Sequence, residues 1–277
     1  MSLQKNPWAL ILGGSSGMGW ASVQKLARDG FNLVVLYRER KQQARETELH
    51  LQELKQQYNR TIISFNKDAL SNEVVQAVAG KLKNEGIRLS LLLHSIAKGN
   101  LKLMVPVKKS DTRFAEKISA IFEDEKYFLE EQDFQLTIQA MALSYYNWVK
   151  VLHDSNCLAQ EAMMLALTSE GSSRAWRNYA AVSAAKASLE AISRSIALEF
   201  APYGIRSNIL QPGVTDTRAL RFIKGHELIR ARSEERNPFG RLTTPDDVAN
   251  VVYLMSRKEA LWINGAVIPV DGGESVA

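Results

Sequence analysis

The chain has 277 residues, 45% of them apolar and 23% charged, the make-up of an ordinary globular protein, which excludes disordered, collagenous and repeat architectures. Its one cysteine excludes an internal disulfide and a cysteine-based zinc site and suits a reducing, cytoplasmic setting. A formal charge of +5 suits an anionic ligand or acidic partner at least as well as nucleic acid, and no nucleic-acid partner is expected.

In chain order, Trp8 to Leu12 is a short apolar run that breaks into Gly13-Gly14-Ser15-Ser16-Gly17-Met18-Gly19, after which Val23, Leu26 and Ala27 fall at helical spacing. This is strand, glycine turn, helix; the run is too short and too soon interrupted for a signal peptide or membrane anchor. Asn32 to Tyr37 follows Asp29-Gly30 as a second strand, Glu39 to Tyr58 reads as an exposed helix, and Thr61 to Phe65 as a third strand ending at Asn66-Lys67-Asp68. Glu73 to Asn84 predicts a helix, and Leu89 to His94 a strand buried on both faces. Further on come strands at Met163 to Thr168, Ser207 to Leu210 and Ala266 to Val270, and helices at Ala180 to Phe200 and Pro245 to Met255, the latter capped by Thr244. Alternating strands and helices imply an α/β Rossmann-type doubly wound parallel sheet of about seven strands with helices on both faces.

No linker or internal repeat divides residues 1–277, so one domain is expected. The segment 98–133 is too long for an ordinary connection and is either a lid near the site or a helical excursion.

Glycines at 13, 17 and 19 leave the backbone free to turn tightly and let a pyrophosphate approach the N-terminus of the first helix, with Ser15 and Ser16 in the same turn. At the end of the second strand, Arg38 within Tyr37-Arg38-Glu39-Arg40-Lys41 offers a planar fork for a 2′-phosphate, favouring NADPH over NADH; alternatively Arg38 and Arg40 only begin a solvated helix. Asp68 is placed to meet the adenine edge, or forms a turn. Tyr179 and Lys186, seven residues apart, could share a helical face, and an ammonium near the phenol would lower the tyrosine pKa toward a value useful for proton donation. Taken alone, a Tyr and a Lys at this spacing are more often an aromatic packing contact and a surface charge. The four histidines form no metal-ligand pattern, and Cys157 reads as a buried or incidental thiol.

From Gly13 through Gly273 the sequence resembles the short-chain dehydrogenase/reductase superfamily, in the glycine turn, Asp68, Pro212-Gly213-Val214-Thr215 and Asp271-Gly272-Gly273. Most members place the tyrosine four residues before the lysine, where this chain has Val182. The spacing Tyr179, six residues, Lys186 instead resembles the enoyl-acyl-carrier-protein reductase branch, as do His94-Ser95-Ile96-Ala97, Asn178-Tyr179 and Ala185 to Ala191.

The resemblance implies hydride transfer from NADPH to the β-carbon of a trans-2-enoyl thioester carried on acyl carrier protein or coenzyme A. Tyr179 would hold the enolate oxygen and Lys186 the nicotinamide ribose. Val214 and Thr215 would fix the carboxamide, and Ile96 and Ala97 would pass beneath the cofactor. It also implies a homotetramer and a mobile substrate lid over 216–241; the arginine excess of that stretch could attract an acidic carrier or the phosphates of coenzyme A, and is equally well a solvated helical face. Where many enoyl reductases have a second tyrosine ten residues before the first, this chain has Ser169, as do carbonyl-reducing members and an NADPH-using minority of enoyl reductases. Carbonyl reduction therefore stays open, as does a non-catalytic nucleotide sensor. A tyrosine one helical turn further toward the N-terminus is withdrawn by about 4.5 Å, which suits a donor to the distant thioester oxygen.

Overall fold

In the computed structural model, residues 6–107, 120–122 and 126–277 are described. Seven strands, β1 (Trp8–Leu12), β2 (Asn32–Tyr37), β3 (Ile62–Asn66), β4 (Leu89–His94), β5 (Leu158–Leu167), β6 (Arg206–Pro212) and β7 (Val267–Val270), form one sheet in the order β3-β2-β1-β4-β5-β6-β7. Every neighbouring pair is parallel. Helices α1 (Gly17–Arg28), α2 (Lys41–Tyr58), α3 (Asn72–Asn84), α4 (Glu131–Ile138), α5 (Ser144–Asp154), α6 (Ala180–Glu199), α7 (Arg218–Arg221), α8 (His226–Arg236) and α9 (Pro245–Met255) make the connections.

Strand periodicity sends alternate side chains to opposite faces. In β1, Leu10 and Leu12 join a core that includes Trp148 and Tyr145, whereas Ala9 and Ile11 join the opposite core with Val23, Leu26 and Val252. In α5, Tyr145 and Trp148 are buried with their polar ends satisfied, whereas Tyr146 is exposed: the Trp148 indole N–H donates to the Ala69 carbonyl at 2.9 Å and the Tyr145 hydroxyl pairs with Ser207 at 2.7 Å. Cys157 is a buried thiol that donates to the Ala79 carbonyl, and burial pushes its pKa up.

Two features depart from the sequence pattern. Strand β5 begins at Leu158 rather than Met163, because its exposed first half, Gln160-Glu161, pairs irregularly with β4 and lacks the apolar signal of the buried half. Between α4 and α5 the helix widens into a π-helical turn, Gln139–Leu143, that no local pattern announced; such turns recur at functional sites. Of the segment 98–133, residues 108–119 and 123–125 lie outside the described residues. Its near end borders the cleft described below through Gly99 and Leu101, and its far end is tied back by Lys102 to Asp133 at 2.9 Å.

Strand order reverses between β1 and β4, and the chain leaves the sheet there in opposite directions. This opens a crevice at the strands' carboxyl ends. Gly13 and Ser95 stand side by side at that point: Gly13 N–H donates to Leu36 and Ser95 N–H to Leu12.

Candidate active site

The glycine turn is built by close approach. A Cβ on Gly19 would lie 2.1 Å from the Gly13 carbonyl oxygen, and one on Gly13, at φ +86, would lie 2.5 Å from the Ser95 carbonyl oxygen. Backbone faces backbone at both positions, so neither neighbour can yield. Gly19→Ala is expected to cost more than about 3 kcal/mol of stability and to abolish dinucleotide binding. Gly80→Ala, in α3 with open space around it, should stabilise by about 0.5–1 kcal/mol. Thermal unfolding and nucleotide titration of the two variants check this.

Ser16 is the N-cap of α1 with no side-chain cap bond, and the Ser15 hydroxyl donates to Glu39 Oε1 at 3.0 Å. Glu39 is the residue that sequence reasoning passed over: it is 16% exposed beside the glycine turn, with the Arg218 guanidinium 3.9 Å away. Its signal was present, a carboxylate just past the second strand, but the adjacent arginines masked it. Arg38 instead pairs with Asp68 at 2.6 Å on the surface. Asp68 also accepts the Leu70 N–H at 3.0 Å, so it forms the turn that was its simpler explanation.

Ser169, Tyr179 and Lys186 line one cleft, together with Ser95, Ile96, Ala97 and the Pro212–Thr215 turn. Tyr179 does not lie within the helix that carries Lys186; it is the N-cap of α6. Tyr179 and Lys186 therefore do not share a helical face, but both line one cavity. The ring is seated by its neighbours: Asn178 takes φ 54, a conformation asparagine tolerates better than most residues. A Cβ on Gly171 would come within 2.6 Å of the ring.

The Tyr179 hydroxyl is 3.4 Å from Ser169 Oγ. Burial raises its pKa and only the Ser169 contact opposes this, which corrects the expectation that lysine lowers it in the free chain. Lys186 is buried and donates to the Leu167 carbonyl at 2.6 Å; burial pulls its pKa down to about 8, against the pull of Glu190.

Behind the lysine, His94 Nε2 lies 2.7 Å from Ser144 Oγ, and that hydroxyl donates to the Ala140 carbonyl of the π turn at 2.7 Å. Ser144 is thus bound inside the helix. Burial, then the charge of Lys186, pulls His94 down to about 3, so it is neutral.

The expected lid contains α7 and α8. Leu220, Ile223 and Ile229 line the cleft, whereas Phe222, Leu228 and Phe239 are exposed. Much of its basic excess is neutralised at short range, Arg221 and Arg230 by Asp216 and Arg241 by Asp247, which weakens it as an attractor of acidic partners. Among the described residues no group of three His, Cys, Asp or Glu could hold a metal, and no helix is long and apolar enough to cross a membrane.

A parallel sheet with a glycine turn at its switch point and a Ser, Tyr and Lys cleft beside it is the arrangement of the short-chain dehydrogenase/reductase oxidoreductases. The family described as enoyl-(acyl carrier protein) reductase matches residues 13–275, and the chain belongs to it. Among curated relatives it is similar to the 1-cyclohexenylcarbonyl-CoA reductase of Streptomyces collinus, at 27% identity over 270 residues, 97% of this chain and 86% of that protein. It is also similar to a probable 2,4-dienoyl-CoA reductase of Bacillus subtilis, at 28% identity over 270 residues, 96% of this chain and 95% of that protein. The solved structure of the NADH enoyl-[acyl-carrier-protein] reductase of Aquifex aeolicus shares the fold, with a TM-score of 0.78 and 20% identity over 100% of this chain and 99% of that one.

Proposed function

We propose that the chain uses NADPH to reduce the C=C bond of a trans-2-enoyl thioester carried on coenzyme A or acyl carrier protein. The observation that carries this is the position of the Tyr179 hydroxyl. It lines a largely apolar cleft with Lys186, set back at the N-cap of α6 where a donor would meet a thioester oxygen. The two relatives matched over nearly the whole chain bear the names of reductases acting on CoA thioesters of unsaturated acids, which supports the same class.

The dinucleotide fits the cradle: the Gly13 and Gly19 contacts leave no room for side chains where a pyrophosphate meets the N-terminus of α1. When bound, the reduced nicotinamide supplies the hydride. Tyr179, a protonated phenol at neutral pH, donates to the thioester oxygen as negative charge develops there. Lys186 holds the ribose hydroxyls and adds a fixed positive field, and Ile96, Leu220 and Ile223 exclude water from the acyl group. A 2′-phosphate would be held by Arg38 on leaving Asp68; the exposed pair it would leave is worth about 0–1 kcal/mol, less than a bidentate phosphate contact returns.

A second reading, carbonyl reduction, is favoured by one observation, the 3.4 Å pairing of the Ser169 and Tyr179 hydroxyls, which could jointly hold a ketone oxygen. Nucleotide oxidation with crotonyl-CoA and, separately, acetoacetyl-CoA decides between them. Turnover of the crotonyl ester is expected, with kcat/KM for NADPH at least about tenfold above NADH. Turnover of the ketone alone overturns the first reading.

A further inference from the structure

Arg236, the last residue of α8, lies between carboxylates from two distant segments. Its Nη1 donates to Glu170 Oε1 at 3.1 Å and its Nη2 to Glu170 Oε2 at 2.8 Å, and the same Nη2 donates to Glu274 Oε1 at 2.8 Å. The three side chains are 16%, 19% and 2% exposed respectively, so the pairs are shielded from water and salt in a way the surface pairs of the lid are not.

Each carboxylate ends on a working part of the cleft. Glu170 follows Ser169 directly in the chain. The second oxygen of Glu274, Oε2, accepts the Val214 N–H at 3.0 Å, inside the turn that the family resemblance assigns to the nicotinamide carboxamide.

The approach of Glu274 is built into the backbone. Gly272 and Gly273 take φ +62 and +84, and a Cβ on Gly213 would lie 2.6 Å from Glu274 Oε2. Asp271 clamps that turn by accepting the Gly273 and Ser275 N–H groups, each at 3.0 Å. A second strut runs beside Arg236: Asn237 Nδ2 donates to the Asp271 carbonyl at 2.8 Å. Burial pushes the Glu170 carboxyl up, but the guanidiniums of Arg236 and Arg174 outweigh it and hold the group ionised.

We propose that Arg236 is a positioning residue that locks the lid helix to the nicotinamide end of the cleft, acting through Glu274 on the Val214 turn and through Glu170 on the Ser169 segment. The proposal rests on the reading that a nicotinamide nucleotide enters this cleft. It locates the coupling at one end of that nucleotide: the adenosine half meets the glycine turn and Arg38, which the Arg236 cluster does not touch.

The test is binding, without substrate. NADPH and 2′-phospho-ADP-ribose, which lacks only the nicotinamide, are titrated against the unsubstituted chain, Arg236→Lys and Glu274→Gln. Lysine keeps the charge without the fork, and glutamine keeps an oxygen for Val214 without the ion pair. In both variants, NADPH affinity is expected to fall about tenfold while affinity for the fragment is unchanged. An equal loss for both ligands marks a merely structural role and overturns the proposal. So does no loss for either, or a gain for NADPH, which would mean that the carboxylate competes with the carboxamide. If the unsubstituted chain binds the fragment and NADPH equally well, the nicotinamide makes no contact and the coupling is overturned. If it binds neither, the functional reading falls, and this inference with it.

Discussion

Replacing Tyr179 by phenylalanine is expected to lower turnover of an enoyl thioester by about 10²–10⁴-fold, the range for a positioned proton donor, while thermal stability stays within about 1 kcal/mol. The two effects separate because the hydroxyl contributes little to the fold. Among the described residues its hydrogen-bond partner is Ser169 at 3.4 Å, whereas the ring is seated by its packing against Gly171. Ser169→Ala sharpens the assignment. If the substrate is an enoyl thioester, Tyr179 alone meets the oxygen and the serine variant should lose less than about tenfold. If a ketone is reduced, the two hydroxyls act together and the serine variant should fall nearly as far as the tyrosine variant. Steady-state rates of the two variants with crotonyl-CoA and, separately, acetoacetyl-CoA, alongside melting curves, read both outcomes.

The strands and the glycine turn could be read from the sequence because a doubly covered parallel strand is a short continuous apolar run, and such a run is a local property. Leu89 to His94 and Trp8 to Leu12 announce themselves in this way. The same locality explains what escaped. Glu170 and Arg236 are 66 residues apart, Glu274 and Val214 are 60 apart, and no periodicity connects a carboxylate near one strand end with an arginine closing a helix. The lid arginines read as a basic patch because a sum of charges ignores distance; the fold supplies Asp216 and Asp247 at hydrogen-bond range and cancels much of it. Glu39 was misjudged for a related reason: composition near β2 is basic, yet the side chain that turns inward to the glycine loop is acidic. That Tyr179 and Lys186 line one cleft was argued from a shared helical face, whereas Tyr179 is the N-cap of the helix that carries Lys186. What brings them to one cleft is tertiary: the N-cap position of one and the burial of the other.

Lys186 is the group for which function and stability should conflict most strongly. A buried lysine whose pKa falls from 10.5 to about 8 binds its proton less tightly folded than unfolded. Its cost to the fold is therefore fully present below pH 8, where both states are charged. That cost is relieved as pH rises from about 8 toward the unfolded value, because there the unfolded chain still holds the proton and the folded chain does not. The shift corresponds to about 3 kcal/mol, against which the Nζ bond to the Leu167 carbonyl returns about 1 kcal/mol. Lys186→Met should thus be more stable than the unsubstituted chain at pH 7 by about 1–2 kcal/mol, and the advantage should shrink in melts taken at pH 9 and 10. The same variant should lose at least about 100-fold in turnover, since the cleft loses the ammonium that lines it with the tyrosine. In the unsubstituted enzyme, turnover should decline as pH rises past about 8, when the ammonium gives up its proton. A methionine variant that is less stable at pH 7, or that keeps its activity, would show the ammonium to be a structural prop rather than a charge held in place, at a cost, for the reaction.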